Sequence, residues 1–110
     1  MAIPNAERAV VSREKLTVYL LNAAHKRGAT KARLLQRLGY RPEAPERLEA
    51  DLKTQHLWLA VSNTSQNAYG TVFEIEGPIE TPSGRKVNFR SIWQIDTGTD
   101  VPRFITMYPR

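Results

Sequence analysis

Residues 71–108 read TVFEIEGPIETPSGRKVNFRSIWQIDTGTDVPRFITMY and decide the fold of the C-terminal half. This stretch contains three runs rich in β-branched and aromatic residues, which predict strands at 71–80, 86–96 and 102–108. Turn-like segments, TPSG and TGTD, separate the runs, and short connections join antiparallel neighbours, so the sequence predicts a β-meander. Gly77-Pro78 interrupts the first run and predicts a bulge or an edge position, because proline donates no ladder hydrogen bond.

The N-terminal half has helical patterns instead. Apolar residues at helical spacing predict a helix over 13–22 with Ser12 as its N-cap, and a second helix over 31–38 with Thr30 as its N-cap. Gly39 is expected to end the second helix, and Pro45 lies in the first turn of a third. The polar residues 62–70 predict a loop.

Helices followed by strands are typical of an α+β fold. We therefore expect two to three N-terminal helices packed on one face of a C-terminal twisted antiparallel β-sheet meander. Strand alternation predicts that Phe104, Thr106 and Tyr108 share one face of the last strand, opposite Arg103, Ile105 and Met107. Helical spacing predicts that Asp51 faces solvent.

The composition limits the possible functions. The chain has 110 residues, 41% of them hydrophobic and 25% charged, which predicts one globular domain over 1–110. No apolar run reaches the roughly 18 residues of a membrane span, and the N-terminus lacks the features of a signal peptide, so a cytoplasmic location is expected. The chain has no cysteine and two histidines, which excludes disulfides and thiol nucleophiles and predicts neither a metal nor a cofactor.

The net charge of +5 is unevenly distributed. Residues 1–41 carry +7, residues 42–80 carry −5 and residues 81–110 carry +3. If the two basic thirds converge on one face, that face attracts a polyanion, of which nucleic acid is the commonest. A solvated basic surface beside an acidic helix is the alternative, and charge alone leaves both open.

Several motifs resemble one bacterial family. They are KLxxYLLN (15–22), HxxGxxKA (25–32), LGY (38–40), YGT (69–71), GRKVNFRSIWQIDTGTDVPR (84–103) and TMYP (106–109). Together they look like domain of unknown function 6883, over nearly the whole chain. The resemblance implies an association with toxin–antitoxin and polymorphic-toxin systems. The order of helices and sheet is also similar to the ribonuclease toxins barnase, EndoU, colicin nucleases and RelE, which is an analogy of fold.

Metal-free RNA cleavage needs a base near the 2′-OH, cations around the phosphate oxygens and an acid at the 5′ oxygen. His25 is the titratable group of a basic loop, and Lys31 adds charge at the start of the second helix. The predicted catalytic set is His25, Lys31, Arg90, Thr106 and Tyr108. The predicted RNA-binding set is Lys26, Arg27, Arg33, Trp93 and Arg103, with Trp93 or Tyr69 stacking on a base.

Structural roles compete with these chemical ones. Lys31 can snorkel along apolar surface at the helix edge. His25 can be an ordinary surface residue of the basic loop. Strand propensity alone accounts for Thr106.

Further alternatives concern the sheet and the third helix. Arg90 can pair across the strands with Glu74 or Glu76, which would also make these carboxylates a salt-bridged face rather than a glycosidase pair. Trp93 alternates with apolar residues, which favours core packing. His56 is expected to be a partly buried structural histidine at a helix end.

The sequence thus predicts a metal-independent endoribonuclease toxin of a toxin–antitoxin or polymorphic-toxin system. Its predicted partners are RNA and a cognate, acidic antitoxin or immunity protein that covers the basic face. The alternative is a non-enzymatic module that binds nucleic acid or protein, such as an antitoxin or immunity-type protein.

Overall fold

The computed structural model describes residues 1–21 and 29–110 and has the predicted α+β order. Its helical elements are a 3-10 turn (Ala6–Arg8), a π-helix (Lys15–Leu20), α1 (Ala29–Arg37), α2 (Pro45–Asp51) and a second π-helix (Leu52–His56). The strands are β1 (Asn63–Asn67), β2 (Gly70–Glu80), β3 (Lys86–Asp96) and β4 (Arg103–Pro109). Each strand pairs antiparallel with the next one in the chain, so the sheet is a meander.

The hydrophobic core lies between the helices and one face of the sheet. Leu16, Leu35 and Leu48 come from the helical half, and Trp93 and Phe104 come from the strands. The two aromatic rings pack edge to face, with their centroids 5.3 Å apart. The predicted packing of helices on one sheet face is confirmed, and the opposite face is called the open face below.

The first helix begins as predicted, but its turns are wider than an α-helix. The Ser12 hydroxyl accepts the Lys15 N–H at 3.5 Å, and the Leu21 N–H donates to the Leu16 carbonyl at 2.7 Å, an i→i+5 hydrogen bond. This turn buries Leu16, Leu20 and Leu21 together, each at most 1% exposed. Residues 22–28, which include the predicted end of this helix, lie outside the described residues.

The end of α1 confirms the predicted role of Gly39. Its φ is +101°, the Gly39 N–H donates to the Gln36 carbonyl, and the Tyr40 N–H donates to the Leu35 carbonyl, both at 3.0 Å. These two bonds form a Schellman motif. The predicted N-cap is wrong, because the helix already begins at Ala29 and Thr30 lies inside its first turn.

Replacing Gly39 with alanine is expected to destabilise the fold more than replacing Gly84. Both glycines have φ near +90°, where an L residue costs about 1–2 kcal/mol. A Cβ at Gly39 also lies 2.8 Å from the Pro82 Cβ, whereas one at Gly84 meets nothing within 4 Å. We expect this overpacking to cost about 1–3 kcal/mol more in the free energy of unfolding, measured with urea. Equal losses in the two variants would contradict the prediction.

The sheet has four strands rather than the three predicted. β1 lies within the predicted loop, and all five of its residues are exposed. Because this strand is polar on both faces, it lacks the apolar alternation that identifies a strand in sequence. The Asn67 side-chain oxygen accepts the N–H groups of Tyr69 and Gly70, at 2.8 and 3.0 Å, and so closes the hairpin.

Pro78 occupies an edge position, which is one of the two alternatives predicted for it. β2 pairs with β1 only from Gly70 to Glu74, so the rest of β2 has its strand neighbour on the β3 side alone. Pairing with β3 runs without interruption past Pro78. The missing proline N–H therefore costs no ladder hydrogen bond.

β4 contains a bulge at Ile105, the residue that the register leaves without a partner in β3. The extra residue reverses the alternation of the strand. Phe104 and Met107 are therefore buried on the core face, while Thr106 and Tyr108 pair with open-face residues of β3. The predicted common face of Phe104, Thr106 and Tyr108 is wrong for this reason.

Asp51 is buried, at 6% exposure, although the helical spacing predicted that it faces solvent. The buried Tyr40 hydroxyl donates to its carboxylate at 2.6 Å, and the Arg47 Nε donates at 3.2 Å. Burial and this carboxylate both raise the pKa of Tyr40. The buried Tyr40 hydroxyl, just after α1, needs a hydrogen-bond acceptor, and the Asp51 carboxylate supplies it.

Candidate functional site

Lys31, Thr106 and Tyr108 come together where α1 meets β4. The Lys31 Nζ lies 3.2 Å from the Thr106 Oγ1 and 5.8 Å from the centroid of the Tyr108 ring. All three side chains are partly buried. The structure therefore places three of the predicted catalytic residues beside one another, and the bulge at Ile105 is what turns Thr106 and Tyr108 toward this position.

Lys15 joins this group, although the sequence reasoning did not single it out. Its Nζ donates to the Ile105 carbonyl at 3.0 Å. Lys15, Lys31, Ile105 and Thr106 line a pocket of about 450 Å³. Partial burial, and secondarily the positive charge of Arg103, lower the pKa of Lys15. The sequence signal that pointed to Lys15 is its position as the first residue of the KLxxYLLN motif.

Arg90 lies opposite Tyr108 in the register but is held by carboxylates. Its guanidinium donates to Glu74 at 3.0 Å and to Glu76 at 2.8 Å, and Arg110 also contacts Glu76 at 3.2 Å. The pKa of Glu76 is lowered by its hydrogen bonds from Arg90 and Arg110. This is the cross-strand pairing that the sequence left as the alternative for Arg90, and it neutralises much of the guanidinium charge.

Arg103 is engaged in a second ion pair on the open face. Its Nε and a terminal nitrogen contact the two Asp96 oxygens at 2.8 and 3.1 Å, which is bidentate geometry. Arg103, followed by a hydrogen bond from Gln94, lowers the pKa of Asp96. To contact RNA, Arg103 would have to divide its N–H donors between Asp96 and the RNA, or break the ion pair with Asp96.

The other predicted RNA-binding residues fall into different positions. His25, Lys26 and Arg27 lie outside the described residues. Arg33 is exposed on α1. Trp93 is fully buried, so the prediction that its ring stacks on a base is wrong: the ring packs in the core and presents no face to a ligand.

Tyr69 is the other aromatic residue considered for base stacking. It lies at the β1–β2 turn and is 72% exposed. Its ring is therefore accessible, in contrast to that of Trp93. No contact among the described residues links Tyr69 to the pocket lined by Lys15 and Lys31.

His56 is a structural histidine, and it is more deeply buried than expected. Its Nε2 lies 3.1 Å from both the Gly77 and Phe89 carbonyls, and its Nδ1 lies 2.7 Å from the Ser91 hydroxyl. Because carbonyls only accept, Nε2 carries the proton and Nδ1 accepts from Ser91. The Ser91 oxygen in turn accepts the Trp93 N–H at 2.8 Å.

The described ranges, 1–21 and 29–110, contain neither a cluster of metal ligands nor a membrane-spanning helix. No group of three or more His, Asp or Glu side chains there has an arrangement that could hold a metal ion. No helix in those ranges is both long enough and apolar enough to cross a bilayer.

The fold is similar to that of a chain in a contact-dependent growth inhibition toxin–immunity protein complex from Klebsiella pneumoniae 342. The TM-score is 0.64 with 22% identity, and the match covers 92% of this chain and 99% of the other. At this identity the similarity establishes a shared fold.

The chain belongs to the family described as Domain of unknown function (DUF6883), whose model matches residues 2–110. The resemblance carried by its motifs is thereby confirmed. A comparison with curated proteins gave no match.

Proposed function

We propose that this chain is a metal-independent endoribonuclease toxin of a toxin–antitoxin or polymorphic-toxin system. The observation that carries the proposal is the convergence of the Lys31 ammonium on the Thr106 hydroxyl, 3.2 Å away, beside the Tyr108 ring. A cation and a hydroxyl are the groups that orient a phosphodiester and stabilise its developing charge. The toxin–immunity complex that contains the similar fold supports a toxin or immunity-type role.

The proposed reaction is attack of the ribose 2′-OH on the adjacent phosphorus. The bond from 2′-O to phosphorus forms, the bond to 5′-O breaks, and the products are a 2′,3′-cyclic phosphate and a 5′-OH end. His25, six residues before Lys31, takes the 2′-OH proton. Lys31 stabilises the charge on the non-bridging oxygens, Thr106 orients the phosphate, and Tyr108 delivers a proton to the 5′ oxygen.

The rest of the RNA would contact basic side chains around this site. Lys26, Arg27, Arg33 and Arg103 remain the proposed phosphate contacts, and the exposed Tyr69 is the proposed stacking residue. A cognate acidic antitoxin or immunity protein would block the site through complementary charge. The reaction takes place in the cytoplasm, where the RNA substrate is, and uses no cofactor.

RNA cleavage in EDTA tests this proposal. The purified wild-type chain is expected to cut RNA in excess chelator and to leave 2′,3′-cyclic phosphate ends. His25→Ala is expected to reduce the rate by about 10²–10⁴-fold, the usual contribution of a general base. Intact RNA with the wild type would reject the ribonuclease assignment, and equal rates in the two proteins would remove His25 from the mechanism.

A non-enzymatic binding module is the second candidate. The ion pairs that hold Arg90 and Arg103 favour it, because they leave the open face with less uncompensated charge than the sequence predicted. Such a module, including an antitoxin or immunity-type protein, would bind its partner without chemistry. RNA that stays intact although its binding weakens steeply with salt, together with no toxicity on expression, would favour this candidate.

A further inference from the structure

The two lysines of the pocket are anchored to consecutive residues of β4. Lys15 donates to the Ile105 carbonyl at 3.0 Å, and Lys31 donates to the Thr106 hydroxyl at 3.2 Å. The two ammonium groups are thus anchored to neighbouring residues of one strand, and both lysines line the same pocket. We propose that Lys15 is a second phosphate-binding residue, and that Lys15, Lys31 and Thr106 together bind one phosphate group in this pocket.

The available hydrogen-bond donors fit an oxyanion. An ammonium has three N–H donors, and among the described residues Lys15 gives one of them to Ile105. Thr106 accepts from Lys31 through its oxygen, so its own hydroxyl hydrogen can be donated to a ligand. The described residues that line the pocket are Lys15, Lys31, Ile105 and Thr106, and none of them is acidic.

The electrostatics of Lys15 point the same way. Burial and the neighbouring Arg103 lower the pKa of Lys15, so both influences disfavour its charged ammonium. An anion bound between the two lysines reverses this balance, because it stabilises positive charge on both. The pocket volume of about 450 Å³ lies within the range of small-molecule sites, about 300–1,000 Å³, and so leaves room for a nucleoside attached to the phosphate.

This inference deepens the proposed function. It rests on that proposal in one respect, namely that the bound phosphate belongs to RNA. The contribution of Lys15 to phosphate binding is measurable whether or not the chain cuts RNA. If RNA stays intact while phosphate binding depends on Lys15, the ribonuclease proposal fails and the phosphate site stands. If RNA is cut but the loss of Lys15 does not change phosphate binding, only the proposal of the phosphate site fails.

The test is calorimetric titration with inorganic phosphate and with adenosine 3′-monophosphate, in phosphate-free buffer at low salt. Lys15→Met is expected to weaken binding of both probes by about 10-fold or more, the value of a charge-assisted hydrogen bond. Lys15→Arg, which keeps the charge, is expected to restore part of the loss. Lys53→Met is the matched control, since it removes the same charge from a surface pair with Glu49.

Binding to the wild-type chain can also be mapped directly by NMR, which covers the case that Lys15→Met fails to fold. Phosphate is expected to shift the Lys15 Nζ and Thr106 amide signals and to raise the pKa of Lys15. Phosphate binding as tight in Lys15→Met as in the wild type would overturn the proposal. An equal loss in Lys53→Met, or no shift at Lys15 in the wild type, would do the same.

Discussion

Lys31→Met is expected to lower the rate of RNA cleavage by about 10²–10³-fold, the usual loss when one group that stabilises transition-state charge is removed. The ammonium lies 3.2 Å from the Thr106 hydroxyl, where the phosphate is proposed to bind. Methionine keeps the length and apolar stem of the side chain but removes its charge. The measurement is the single-turnover rate on a labelled RNA at saturating enzyme, which separates chemistry from binding.

Two variants show whether this loss is chemical. Arg37→Met removes one charge from an exposed position in the last turn of α1 and is expected to cut at the wild-type rate. Lys31→Arg retains the charge with a different shape and is expected to keep part of the activity. A Lys31→Met protein that remains folded and cuts at the wild-type rate would show that Lys31 serves only as a helix-edge lysine.

His56→Ala is expected to lower the free energy of unfolding by about 3–5 kcal/mol, because it opens a cavity and leaves buried polar groups with fewer partners. The wild-type stability is also expected to fall in acid. Burial lowers the pKa of His56 below its usual 6.5, although the two carbonyls at Nε2 oppose the shift. Below pH 6.5 the unfolded chain therefore takes up a proton that the folded chain does not.

The sign of this effect follows from linkage. The contribution of neutral His56 is complete above pH 6.5 and is lost as the pH falls from 6.5 toward the folded-state pKa, by at most about 1.4 kcal/mol per pH unit. Urea unfolding between pH 5 and 8 measures it. A His25→Ala background leaves His56 as the one imidazole in the chain.

His56→Leu in that background supplies the control, since it keeps most of the side-chain volume but cannot titrate. Its stability is expected to change less over pH 5–8 than that of the parent with His56. If both proteins lose stability equally on acidification, a group other than His56 causes the loss.

The sequence predicted the elements in which buried apolar residues recur at a regular spacing. β3 has the predicted bounds, 86–96, because its apolar residues alternate along a face that packs on the helices. β1 was missed because exposure on both faces leaves polar residues throughout, and backbone pairing and polar side-chain contacts hold such a strand without an apolar pattern. The burial of Asp51 was missed because its cause is Tyr40, which lies outside the helix whose spacing was considered.

The site was predicted in part, for a related reason. Lys31, Thr106 and Tyr108 were chosen for their chemistry, and the structure brings them together. The face assigned to Thr106 and Tyr108 was wrong, because strict alternation assumes that no extra residue interrupts the pairing. Arg103 looked available in sequence because its ion pair with Asp96 spans a β-hairpin, which helical spacing and strand alternation do not reveal.

The unpaired Ile105 determines which residues of β4 face the core and which face the proposed site. Deleting Ile105 would leave Phe104, Thr106, Met107 and Tyr108 as consecutive residues, in regular pairing with the same partners in β3 and on the same faces. A strand that kept Ile105 but paired without a bulge would alternate strictly, so Met107 would leave the core face if Phe104 stayed on it. The burial of Met107 and the direction of the Thr106 and Tyr108 side chains therefore depend on the same extra residue, and any change that lets Ile105 pair with β3 alters both.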